Sequence, residues 1–264
     1  MFFLALTALA AALMIFACKK GKDAPDPVVD FPEMVTDFDG NVYEVVVIGS
    51  QAWMKQNLSV THYSDGSPIQ TGLSDNLWEA IGQGAFAIYP IDRPFSVGIV
   101  SEEDMKAIYG LLYNWHAVND SRGLCPDGWK VPSAQEWRKM LDFILENHED
   151  VTQQNIGNAL KSCRQINSPL GDDCDVEWGG HPFWHLSAEQ FGNDLSGFNA
   201  LPAGSRNRIG EYSSITGNAA FWESTHGTET TASARYLNHN SAEFQRGDFF
   251  HNNGLSVRCI WKGE

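Results

Sequence analysis

The chain has 264 residues, 43% of them hydrophobic, and a formal net charge of -15 at pH 7. That length is ample for one buried core and is not plainly enough for two. An acidic excess of this size argues against nucleic acid as a partner, because phosphates select basic patches, and against electrostatic adhesion to anionic lipid.

Residues 1–17 carry no charged side chain and are almost wholly apolar. Such a run is short for a membrane span and suits a secretory hydrophobic region. Ile15-Phe16-Ala17-Cys18 places a small residue directly before a cysteine, as a bacterial lipoprotein signal does. The expectation is that residues 1–17 are removed and that Cys18 becomes the lipidated first residue, a membrane anchor. Residues 18–34 then read as a stiff, mixed-charge tether, and residues 35–264 as the folded domain.

Residues 41–48 are rich in valine and predict a strand entered through the Asp39-Gly40 turn. Residues 51–57 predict a second strand, paired as a hairpin across Gly49-Ser50. Asp37-x-Asp39-Gly40-Asn41 also looks like a fragment of a calcium loop, but it lacks the spacing and terminal glutamate of an EF-hand. Turn chemistry is the preferred reading, with calcium as the alternative. Residues 64–105 predict an irregular insertion, in which residues 75–81 have room for a turn or two of helix. Residues 108–118 are aromatic and predict a run through the core.

The most informative stretch is Leu124-Cys125-Pro126-Asp127-Gly128-Trp129-Lys130-Val131-Pro132-Ser133-Ala134-Gln135-Glu136-Trp137. Pro126-Asp127-Gly128 is a turn signature, and Val131 before Pro132 is biased extended. Ser133 followed by Glu136 is a capping box. Trp137, Met140, Leu141, Ile144 and Leu145 then form one apolar helical stripe, predicting a helix to about residue 148. Thr152 predicts the cap of a second helix bearing Ile156, Ala159, Leu160 and Cys163. Beyond residue 177 the chain lacks helical periodicity, and residues 219–224, 233–237 and 255–261 predict closing strands. Setting Cys18 aside, Cys125, Cys163, Cys174 and Cys259 remain for an oxidising compartment, with three pairings open. No C-x-x-C occurs, which makes a structural zinc site a poor reading.

Leu124 to Trp137 resembles the central signature of the Fibrobacter succinogenes major paralogous domain, a family of bacterial secreted proteins and lipoproteins. Agreement extends to Asp37-Phe38-Asp39-Gly40-Asn41-Val42-Tyr43, Gln51-Ala52-Trp53-Met54-Lys55-Gln56-Asn57-Leu58, Tyr109-Gly110-Leu111-Leu112-Tyr113-Asn114-Trp115, Gly197-Phe198-Asn199-Ala200-Leu201-Pro202-Ala203-Gly204, Phe221-Trp222-Glu223-Ser224 and Ser256-Val257-Arg258-Cys259. The resemblance implies an α+β, C-type-lectin-like fold: two helices, short antiparallel strands and a long irregular loop region, stapled by disulfides. Formylglycine-generating enzymes share that fold. It further implies the pairings Cys125–Cys259 and Cys163–Cys174. Together with Cys18 it leads to the expectation of a lipid-anchored outer-membrane protein, on the cell surface or the periplasmic face, whose domain binds a glycan or a partner protein such as an outer-membrane transporter. The alternatives are an enzyme of the formylglycine-generating kind and a purely structural envelope protein.

No catalytic constellation emerges, since neither G-x-S-x-G nor H-E-x-x-H is present. The Glu-Pro-Asn and Trp-Asn-Asp runs of calcium-dependent lectins are also missing. The candidate ligand contacts are Trp178, His181, Trp184 and His185, in a run of aromatics and histidines. They suit stacking on sugar rings or a protein hot spot, or else they fill the loop side of the core, the commoner use of aromatics. Pro182 breaks any regular face shared by His181 and His185, so no metal is assigned. Arg206, with Arg208 and Arg246, forms either a polar ligand floor or ion pairs with the acidic surface. Trp53, Trp129, Trp137 and Trp222 are assigned to the core, and Arg258 to buried hydrogen bonds with carbonyls.

Overall fold

The computed structural model describes residues 30–263 apart from 97. The leader, Cys18 and all but the last few tether residues lie outside the described residues.

The valine-rich strand forms as Val42–Ile48 and pairs antiparallel with Gln51–Met54, Ile48 facing Gln51 across Gly49-Ser50. Gly49 sits at φ +63°, and a Cβ there would meet the Phe143 ring at 2.8 Å, so the turn favours glycine. The hairpin belongs to a five-stranded antiparallel sheet in the order Met34–Thr36, Val42–Ile48, Gln51–Met54, Ile260–Trp261, Trp129–Lys130. The last strand of the chain therefore inserts between the first hairpin and the strand after Cys125. Beside it Cys125 bonds Cys259 with Cα atoms 6.0 Å apart, and Cys163 bonds Cys174 at 5.1 Å. Both are the pairs that the resemblance implied.

The helix Ala134–Asn147 starts at the expected capping box: Ser133 N–H donates to Glu136 Oε2 at 2.8 Å, and Glu136 N–H to Ser133 Oγ at 3.4 Å. Its buried face is Trp137, Met140, Leu141 and Ile144. Each such side chain contributes roughly 1.5–3 kcal/mol by leaving water. Trp137 packs against Trp53 at 4.7 Å and Phe198 at 5.6 Å between ring centroids. Trp53, Trp129 and Trp222 are likewise buried.

Several expectations need correction. The second helix spans only Ile156–Leu160, after Asn155 rather than Thr152. Ser162 N–H donates to Ala200 O at 3.0 Å, which draws the chain away and leaves Cys163 outside the helix. The described residues hold five α-helices, not two. One is Asp75–Ala80, in the part of the insertion with room for it; another is Glu102–Tyr109, where an irregular segment was expected. Ser101 Oγ caps the latter, accepting from Asp104 N–H at 3.0 Å. Of residues 255–261 only Ile260–Trp261 is a strand; Leu255 and Ser256 form isolated bridges. The strands around 219–224 and 233–237 extend to Asn218–His226 and Thr231–Asn238, and a third, Gln245–Phe250, completes their antiparallel sheet. The protein is thus α+β, with mostly antiparallel strands and two disulfides.

Arg258 is fully buried and donates to the carbonyls of Phe198 and Asn199 and to Asn57 Oδ1. Its guanidinium also lies 4.3 Å from the Phe198 ring centre. One side chain thereby ties the C-terminal segment to the loop region and to the end of the first hairpin.

Candidate ligand-binding surface

The loop after residue 174 has few backbone ladder bonds of its own, and Arg164 supplies the missing order. Arg164 Nε donates to Pro182 O at 2.9 Å, Nη2 to Gly180 O at 2.9 Å and Nη1 to Asp173 O at 3.3 Å. Cys163, the residue before it, is bonded to Cys174. The loop is thus held from one short segment by a covalent bond and a planar donor fork.

Trp184 is only 1% exposed; its indole N–H donates to Ala200 O at 3.1 Å, and Lys161 Nζ lies 5.4 Å from its ring centre. It is a core residue and not a ligand contact, which corrects one of the four expected in this run. Lys161 itself is buried, donating to Gln190 O at 2.9 Å and Ser241 O at 2.6 Å. Burial pushes its ammonium down to about 7. His181 is half-buried, shares a 2.7 Å hydrogen bond with the Tyr109 hydroxyl and lies 4.6 Å from Phe183 between ring centroids. His185 turns the other way, towards His239 at 5.2 Å and Phe95 at 5.4 Å. The two histidines do not converge, and among the described residues no group of three potential metal ligands exists.

Trp178 is different: 48% of it is exposed. Beside it stands Phe95, 39% exposed, with ring centroids 5.6 Å apart. Phe183 supports Trp178 from beneath at 5.8 Å and is itself buried. Phe95 comes from the insertion, and a close backbone approach brings it there. Gly98, at φ +98°, would place a Cβ 2.4 Å from Gly179 O. The outcome is a platform of two exposed rings edged by His185. Sequence reasoning missed Phe95; the available signal was an aromatic directly after Asp92-Arg93-Pro94, a charged turn-like run that favours the surface.

The arginines divide as well. Arg206 is 3% exposed, bonded to Gly210 O at 2.8 Å and Asp75 Oδ1 at 2.9 Å, with its guanidinium 4.4 Å from the Trp78 ring centre. It clamps the insertion to the sheet region and does not contact a ligand. Arg208 approaches Glu79 at 3.8 Å, and Arg246 pairs with Glu223 at 3.0 Å. The suspected calcium fragment is a turn: Asp37 accepts from Asp39 N–H at 2.9 Å, Asn41 N–H at 3.0 Å, Asn41 Nδ2 at 2.8 Å and the Tyr43 hydroxyl at 2.6 Å.

Fold and surface together define a disulfide-stapled α+β domain whose exposed aromatic pair stands on a braced loop. The model of the Fibrobacter succinogenes major domain family matches residues 46–261, from within the first hairpin strand to the last strand, and the chain belongs to that family. Comparison with curated proteins and with solved structures returned no match.

Proposed function

We propose that this is a non-catalytic binding module of the cell envelope, a C-type-lectin-like domain that takes a glycan on the Phe95–Trp178 platform. The carrying observation is that exposed ring pair, braced by Phe183, Arg164 and the Cys163–Cys174 bond. Flat aromatic faces bind sugar rings with little ordering cost, because their position is already set. An enzyme of the formylglycine-generating kind would need a reactive cysteine pair. The bonding of all four domain cysteines with one another favours the module. Anchoring at the outer membrane through a lipid on Cys18 is part of the proposal; it rests on Ile15-Phe16-Ala17-Cys18. Incorporation of an alkyne fatty acid that persists in Cys18→Ala would overturn the anchor.

Screening the full chain on a glycan array and then titrating the best ligand tests the platform. Phe95→Ala and Trp178→Ala should each weaken binding about tenfold or more, as truncation of an aromatic hot spot does. Unchanged affinity in both variants refutes the platform. Capture of an envelope protein in place of any glycan, lost in the same variants, would assign the platform to a protein partner instead.

A further inference from the structure

A cleft of about 480 Å³ lies between the Ala134–Asn147 helix and the three-stranded sheet. Arg138, Arg235 and Arg246 line it against a single lining carboxylate, Asp142. Behind them Glu223, fully buried, accepts from Arg235 Nε at 2.7 Å and from Arg246 Nε at 3.0 Å. Three guanidinium groups against these two carboxylates leave a surplus of one positive charge, on a chain whose net charge is -15. Asp248, outside the lining, accepts from Ser233 Oγ, which in turn accepts from Arg246 Nη2 at 2.8 Å.

This arrangement is not what sheet stability alone favours. Arg235 and Arg246 stand directly opposite each other on neighbouring strands, a like-charge pairing that repels. One buried glutamate holds both, at the place where the register between Asn218–His226 and Thr231–Asn238 shifts after Trp222. Such irregularities re-aim side chains, and well-packed apolar residues are often at least as stable as a buried charge triad. Glu223 also leaves donors over. The Nη atoms of Arg235 donate to nothing among the described residues, and Arg138 is exposed with no partner among them. Two fixed guanidinium groups with a third opposite suit a planar carboxylate, which accepts two parallel N–H bonds. Leu141 adds an apolar wall, and the Gln135 and Gln153 amides suit hydroxyl groups.

We propose that this cleft binds the carboxylate of an acidic sugar unit, a hexuronic acid in a polysaccharide chain. The site is separate from the Phe95–Trp178 platform and does not rest on it. The test is calorimetric titration of the full chain, in mild detergent, with trigalacturonic acid and with a neutral galactose trimer. Trigalacturonic acid should bind, more weakly as salt rises, and the neutral trimer should not. Arg138→Gln lies outside the Glu223 network and should weaken binding about tenfold, the loss of one charge-assisted bond. Arg235→Gln should abolish binding, with its thermal melt recorded alongside; if that variant does not fold, Arg138→Gln decides. Arg208→Gln, paired elsewhere with Glu79, should bind as the parent does. Equal binding of the neutral trimer, or unchanged affinity in Arg138→Gln, overturns the proposal. So does binding of a sulfated galactan without any of trigalacturonic acid.

Discussion

Replacing Cys125 and Cys259 together by alanine opens a loop whose ends are 134 residues apart, whereas the same change at Cys163 and Cys174 opens one of 11. A cross-link restricts the unfolded chain by an amount that grows with the logarithm of the loop. At 25 °C this comes to about 5 kcal/mol for the longer loop and about 3 kcal/mol for the shorter. The packing consequences point the same way. Cys125 and Cys259 are buried in the core cluster that holds Trp115 and Trp222, while Cys163 and Cys174 are half-exposed. Lost contacts at the buried pair add on the order of 1 kcal/mol. The Cys125/Cys259 variant should therefore lose roughly 2–3 kcal/mol more than the Cys163/Cys174 variant. Urea unfolding followed by tryptophan fluorescence measures both against the parent, with the slope fitted separately for each because removing a cross-link expands the unfolded state. Equal losses, or a larger loss at Cys163/Cys174, would refute the reasoning.

Arg258→Met should cost about 3–5 kcal/mol, because it strands the carbonyls of Phe198 and Asn199 and Asn57 Oδ1 without their donor. A urea midpoint within experimental error of the parent would contradict it. Asp194 offers a pH test: burial pushes its carboxyl up to about 6, against the pull of the Asn199 N–H and the Arg258 charge. A folded-state value above the unfolded one means that the native chain holds the extra proton, so this group's contribution falls as pH rises from about 4 to 6. Asp194→Asn keeps an acceptor for the Asn199 N–H and tolerates the local φ of +48°. It should gain stability over the parent between pH 4 and pH 7, read as a widening gap in melting temperature. A gap independent of pH would count against the burial argument.

Locally encoded features were legible in the sequence. The capping box at Ser133 and Glu136, the stripe from Trp137 to Ile144, and the hairpin across Gly49-Ser50 each depend on residues within a few positions of one another. Their physics is complete in that span: a side-chain oxygen reaching an N–H, a period of 3.6, a glycine at positive φ. The Glu102–Tyr109 helix is less legible although Ser101 caps it by accepting from Asp104 N–H, because Pro94 and Gly98 stand shortly before it, Gly110 directly after it, and its apolar face is short. Composition and spacing left three disulfide pairings open; the family resemblance pointed to one, and the insertion of Ile260–Trp261 between Gln51–Met54 and Trp129–Lys130 brings that pair together.

The candidate site was less legible, for a definite reason. Trp178 and Trp184 are the same residue type six positions apart, yet one is 48% exposed and the other 1%. Arg206 and Arg246 differ in the same way, the first enclosed by Trp78 and Asp75, the second opening on a cleft. Residue type and spacing determined which side chains were capable of stacking or of holding an anion. Which of them face outward was decided by the tertiary structure alone, because exposure depends on what distant segments cover: Gly98 against Gly179, Ala200 over Trp184, Glu223 between two strands.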